Sequence, residues 1–339
     1  GRVDGGGGDG GAEDGGLDGG LAPPPAGRDD DRDGLDDRWE YEAGDPSLLD
    51  WRSADTDGDG TPDGEEDPDG DGLTHLEEYA FSRLLATPPG RRPDPFRIDL
   101  LVELDAMEGR GLSDAVIATA VDAFDALPIA SPTGRLGVGL LVYRDQEDLP
   151  PQDFDGSFEG RHRALAQSGP AYQAPGEPAV PFAKMVHVLV ATRRTDDPYR
   201  GGEVVSDGNG VIENTGVLLY SDALADLHPQ CGGAGDPPIT FEEALAATLV
   251  HELGHTLQLG HDTEVGGGIN YYNIMSVPTS CLTAQQRFHG IGNRDESLGN
   301  TESISAPRFS VDAAMRMHFL QKLSVETAQL DDGGDGYEM

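Results

Sequence analysis

The sequence predicts an α+β protein: a mixed twisted sheet with one helix that bears the chemistry and a C-terminal helix, preceded by a small Asp-rich module. Three observations carry this prediction. From Phe96 onward, apolar runs of strand length alternate with stretches whose apolar residues recur at helical spacing. A capped helical stretch leads into the run HELGH, which begins at His251. The block over residues 29–86 places Asp at alternate positions again and again, which sets it apart from the apolar chain that follows.

Residues 1–28 are almost wholly Gly, Asp, Ala and Pro, with Val3, Leu17 and Leu21 as their larger apolar residues. Such a stretch buries too little surface to offset its ordering entropy, so a disordered arm is expected. The acidic block of 29–86 ends in a short helix, because Thr74 and Glu77 have capping-box spacing and Leu76, Tyr79, Ala80 and Leu84 follow at helical intervals. TPPGRRPDP, residues 87–95, reads as a linker by its Pro and Gly content. A catalytic domain is expected over residues 96–326.

Within that domain RIDLLVEL reads as a buried strand, and Ser113 is placed to cap a helix with Val116, Ile117, Ala120, Val121 and Phe124 on one face. RLGVGLLVY, MVHVLVA and GVLLY are further strands of aliphatic and β-branched residues. Thr240 and Glu243 form a second capping box, from which Ala244, Leu245, Thr248 and Leu249 lead to His251. A last helix, near Ser310 to Leu323, carries Val311, Ala314, Met315, Phe319 and Leu323 on one side, and residues 327–339 form an acidic tail.

The formal net charge is −40, which argues against nucleic acid or an anionic membrane surface as a partner. No run of about 18 apolar residues predicts a membrane span. The start at Gly1, with no signal-peptide pattern, reads as a processed or trimmed end. Cys231 and Cys281 are the two cysteines; a bridge between them is expected, with two thiols as the alternative.

Residues 251–261 read HELGHTLQLGH. On a helix, His251 and His255 stand one turn apart on one face, so two imidazoles converge on one point. A catalytic zinc takes three protein ligands and keeps a fourth place open, and His261 is the third candidate. Glu252 lies beside that open place, where it can take the proton of a zinc-activated water and pass it to the leaving amine. The remaining histidines show no ligand spacing, and His187, on a strand, reads as structural.

HExxHxxGxxH followed by a Met-turn is the metzincin signature, and this chain resembles that family of zinc metallopeptidases. NYYNIMS, residues 270–276, looks like the turn, with Met275 as an apolar floor beneath the histidines. RIDLLVELDAMEG and the strand starting at Gly137 resemble the opening of secreted bacterial and archaeal members. Where the family has Gly, this chain has Gln258. A non-Gly residue in a left-handed bend costs on the order of 1 kcal/mol, which a bound metal can offset, and Gly260 can take part of the bend. His261 therefore stays the expected third ligand, with Asp262 as the substitute. Tyr271 and Tyr272 are candidates for contacting substrate or the transition state, with packing as the alternative. The resemblance further implies a substrate laid along an edge strand, for which GVLLY is the candidate.

Three acidic segments have carboxylates at alternating positions, Gly sixth and Glu twelfth: DDDRDGLDDRWE, DTDGDGTPDGEE and DPDGDGLTHLEE. This is the oxygen pattern of a calcium loop. The candidate ligands are Asp29, Asp31, Asp33, Leu35, Asp37 and Glu40 in the first loop. In the second they are Asp55, Asp57, Asp59, Thr61, Asp63 and Glu66, and in the third Asp67, Asp69, Asp71, Leu73 and Glu78. The loops resemble EF-hand and thrombospondin type 3 repeats. The second and third abut at Glu66 and Asp67, which leaves no room for paired EF-hand helices and favours the thrombospondin type 3 or single-loop form.

Taken together, the motifs imply a secreted or cell-surface zinc endopeptidase acting on protein or peptide substrates, with structural calcium. The alternative is a non-catalytic calcium- and zinc-binding surface or adhesion protein on the same fold. The intact Glu252 counts against it, since binding alone needs no base.

Overall fold

The structure, a computed structural model, describes residues 22–84, 92–155, 157, 160–161, 184–205, 216–231, 240–257 and 259. The chain divides into two compact units, Gly1–Glu66 and Asp67–Met339.

The first unit is built from two loops of one design. The first Asp of each binds the backbone of its own fourth and sixth residues: Asp29 accepts from the N–H of Arg32 (2.6 Å) and Gly34 (3.3 Å), and Asp55 from Gly58 (2.8 Å) and Gly60 (3.1 Å). Reaching those donors requires left-handed backbone at both positions. Gly34, Gly58 and Gly60 supply it freely, while Arg32 adopts φ 73° without a glycine's freedom. Each loop leaves through a helical turn at its ninth residue. In the first loop this is α1 (Asp37–Ala43), capped by Asp36 and ended by Gly44 at φ 83°; in the second it is a single 3-10 turn, Asp63–Glu65. Among the described residues of this unit, Leu35, Trp39 and Leu49 are the large apolar side chains that are buried. So small an apolar core contributes little stability by itself.

The second unit opens with the third loop, which has the same turns. Asp67 accepts from the N–H of Gly70 and Gly72, both at 2.9 Å, and α2 (His75–Leu84) starts at the ninth residue. The predicted capping box is present, since the Thr74 N–H donates to the Glu77 carboxylate at 2.9 Å.

Among the described residues five strands then form one sheet: β1 (Asp99–Ala106), β2 (Gly139–Arg144), β3 (Val186–Ala191), β4 (Gly202–Val205) and β5 (Gly216–Tyr220). Their order is β2-β1-β3-β5-β4, parallel except for β4, which runs antiparallel to β5 at the edge. α3 (Asp114–Asp125) is capped by Ser113 as expected; α4 (Ser221–Cys231) and α5 (Phe241–Thr256) follow the sheet. One sheet face, through Leu100, Val102, Val188, Val190 and Leu219, packs on Val116, Phe124, Leu249, Val250 and Leu253 of α3 and α5. That burial is the main apolar driving force for the unit. The opposite face packs in two patches, one of them with Phe154 and Tyr220. Between them Glu103 of β1 is buried and lies 2.5 Å from Nδ1 of His187 on β3.

No helix among the described residues is long and apolar enough to cross a membrane.

Candidate metal centre

α5 positions the histidine site. Its capping box is complete: the Thr240 hydroxyl accepts from the Glu243 N–H at 3.1 Å, and the Glu243 carboxylate accepts from the Thr240 N–H at 2.6 Å. Ser113 at the start of α3 donates to Glu242 at 2.7 Å. Leu249, Val250 and Leu253 lock the helix on the sheet, so the histidines stand on a fixed frame.

His251, Glu252 and His255 are 4%, 2% and 6% exposed. The two rings meet edge to face, with centroids 4.6 Å apart and Nε2 atoms 3.0 Å apart. Two nitrogens on one tetrahedral zinc, each at about 2.0–2.1 Å, stand about 3.4 Å apart. The observed spacing is within a few tenths of that. Nδ1 of His255 lies 2.6 Å from the Leu259 carbonyl oxygen. With the proton on Nδ1, that contact leaves the Nε2 lone pair directed at His251, the usual outer support of a metal-binding imidazole. The donor chemistry therefore fits zinc at two positions.

Glu252 packs against the edge of the sheet. A methyl group added at Gly202 would lie 2.8 Å from Oε1 and 2.9 Å from Cγ of Glu252, so the carboxylate occupies the space that any larger residue would need. Gly202 is the first residue of β4, and its absent side chain lets the carboxylate lie against the strand backbone. This corrects the expectation for GVLLY. That segment is β5, paired on both sides, with β3 and with β4, so it has no free edge. The edge beside Glu252 is β4. Its sequence, GEVV, is too short and too polar to announce a strand by periodicity.

The acidic loops form a second kind of donor set. Oxygens of Asp29, Asp31 and Asp33, of Asp55, Asp57 and Asp59, and of Asp67, Asp69 and Asp71 gather to within 4.8 Å in three groups. Glu40 is 1% exposed, and neither of its carboxylate oxygens has a hydrogen-bond partner. Burial, then Asp33 and Asp31, push its carboxyl up to about 9. Burial and then Asp57 push Glu66 up to about 7. Glu78 is 2% exposed with Oε1 unbonded, and burial, then Asp71, hold it well above the carboxylate range. Asp37 accepts from the Asp30 N–H at 2.8 Å through Oδ1, while Oδ2 has no partner. Leu35, Thr61 and Leu73 occupy the seventh positions, where a calcium loop offers a backbone carbonyl. Clustered, unbonded carboxylate oxygens suit a hard divalent cation. A fourth grouping joins the first two loops, because Asp63 has an oxygen within 4.8 Å of Asp33 and Glu40. The sequence places Asp63 in the second loop alone; no spacing rule reports a contact made through space.

His261, Asp262, Gln258, Gly260, Tyr271, Tyr272, Met275, Cys281 and the last helix lie outside the described residues, as does the side chain of Cys231, which closes α4.

No family model matches the chain. No curated protein matches it either. Among solved structures it is similar to an archaemetzincin from Methanopyrus kandleri, with 15% identity, a TM-score of 0.35, and 68% of this chain and 95% of that one covered. A metalloproteinase-II from Bacteroides fragilis matches with 15% identity, a TM-score of 0.37 and coverage of 67% and 53%. A zinc-dependent peptidase from Methanocorpusculum labreanum matches with 12% identity, a TM-score of 0.39 and coverage of 64% and 100%. Scores this low carry no argument about function.

Proposed function

We propose that the chain is a secreted zinc-dependent endopeptidase of the metzincin type. The observation that supports this most is the convergence of His251 and His255 Nε2 atoms at 3.0 Å, with the buried Glu252 next in sequence and set against the edge strand. His251 and His255 would hold the metal, with His261 as third ligand. Zinc in that place supplies Lewis acidity toward a substrate carbonyl and toward water. Glu252 then acts as general base, taking a proton from the attacking water and returning it to the leaving amine. Among the described residues β4 is the edge strand of the sheet next to that carboxylate, along which an extended peptide can pair through its backbone. The three acidic loops hold calcium in the same proposal, which suits a location outside the cell, where calcium fills even weak sites.

The test compares zinc content and casein cleavage for the native chain and for Glu252→Gln. The proposal expects about one zinc per chain in both and cleavage in the native chain alone. Zinc without cleavage in either leaves a non-catalytic binding protein. Equal cleavage in both removes Glu252 from the role of base.

A further inference from the structure

The third acidic loop differs from the first two in what it touches. Asp71 accepts, at 2.8 Å, the backbone N–H of Asp99, the first residue of β1. Lys184, two residues before β3, donates to the Gly72 carbonyl oxygen at 2.7 Å and pairs with Glu77. Leu73 of the loop and Phe81 of α2 are buried with Leu101, Leu141 and Met185 on one face of the sheet. The loop is thus joined to the starts of β1 and β3 by polar contacts and by a shared core.

Four carboxylates are buried at that junction: Asp69, Asp71, Glu78 and Asp99, at 2%, 1%, 2% and 4% exposure. Asp69 Oδ2 and Glu78 Oε1 have no hydrogen-bond partner. Both are more than nine-tenths buried and belong to the ligand pattern of the loop, whose Asp67, Asp69 and Asp71 gather to within 4.8 Å. Asp99 has Arg97 at 3.8 Å, and Lys184 is engaged by Glu77. Ionising buried carboxyl groups this close together is costly, and a cation among them would offset that cost and hold the loop closed. Opening would withdraw the acceptor from the Asp99 N–H and uncover Leu73 and Phe81.

We infer that a divalent cation in the third loop is a fold-completing component of the sheet unit, clamping the start of β1, and that it controls the stability of the unit that carries the histidines. This rests on reading the loops as calcium sites. The ligands would be Asp67, Asp69, Asp71, the Leu73 carbonyl and Glu78, an all-oxygen set that suits calcium.

The experiment uses the full chain, stripped of metals on a chelating resin and reloaded with zinc. Calcium binding is measured by equilibrium dialysis. Hydrogen exchange is followed by mass spectrometry in a peptide covering residues 99–106, with and without calcium chloride. At calcium 100 times its dissociation constant, β1 amides that exchange through loss of the ion should slow about 100-fold. Glu78→Gln and Asp69→Asn should each abolish the slowing. Calcium bound by the native chain with β1 exchange unchanged overturns the inference, and so does slowing that persists in both variants. Absence of any calcium binding overturns the calcium reading of the loops and this inference with it. The comparison within the native chain stands even if neither variant folds.

Discussion

The histidines of α5 and the carboxylates of the acidic loops are both clustered donor sets, the first buried and the second ranging from buried to exposed, and they are held in place by different means. In α5 the donors are imidazole rings, spaced by the helical repeat and pinned by apolar packing, and His255 already has a carbonyl partner in Leu259. In the loops the donors are clustered carboxyl groups, several of them positioned by bonds to their own backbone, with both oxygens of Glu40 and Oε1 of Glu78 left without a hydrogen-bond partner. On the proposed reading, the first arrangement would tolerate loss of an ion, whereas the second would bear the cost of ionising its clustered carboxyl groups without one. A donor set on regular structure is therefore legible as a spacing, whereas one on loops would be completed by an ion.

The comparison can be broken most severely at His255. Replacing it with Ala should lower zinc affinity by more than about 100-fold, since removing even an outer partner of a metal ligand costs 10- to 100-fold. The β1 amides should keep their protection, and their loss on substitution would show that α5 is not a preformed frame. Gly202→Ala is the next largest effect, because the new methyl meets Glu252 at 2.8 Å. A displacement of about 1 Å at a catalytic group costs about 100-fold, so kcat/KM should fall by about that factor with zinc content unchanged.

The loops can be probed through Trp39 and Trp51, the two tryptophans of the chain, both in the first unit. Glu40, Glu66, Asp31 and Asp33 are raised in the folded state to about 9, 7, 6 and 6. The metal-free folded unit thus binds more protons than the unfolded chain. The stability this gives is fully present below the ordinary carboxylate range and is lost as pH rises through 6 to 9. Without calcium, the thermal midpoint read by tryptophan fluorescence should fall from pH 5 to pH 9. With calcium bound the trend should reverse, because protons compete with the ion. A midpoint that does not change with pH in metal-free buffer would remove this cost of ionisation. The smallest effect belongs to the cap of α5. Thr240→Ala should cost about 1 kcal/mol, seen as a lower unfolding midpoint of the second unit with zinc affinity little changed.

Much of this was legible in the residues. Ser113, Thr74 and Thr240 cap the helices that their spacing announced, and RIDLLVEL, MVHVLVA and GVLLY are strands. β4 was not, because four residues including Gly202 and Glu203 carry no period that outweighs their polarity. Without β4 in view GVLLY reads as the edge, since strand order depends on pairings across the chain, which no local pattern encodes. α4 was hidden by Pro229, which sits within it against ordinary helix preference. In the loops, Gly at the sixth position was read from the pattern. Arg32 at φ 73°, in the place taken by Gly58 and Gly70 in the other two loops, had no signal of its own.

The direction in which α5 runs has one more consequence. His251 and His255 lie in its last turns, while Glu242, Glu243 and the Thr240 cap occupy its first. Aligned peptide dipoles leave a helix with about half a positive charge at its amino end and about half a negative charge at its carboxyl end. The acidic side chains thus complement the positive pole, and a metal ion held by the imidazoles would lie at the negative one. The polarity of the backbone therefore favours a dication at this end. Reversed in the chain, the same two histidines would offer identical nitrogens against an opposing field.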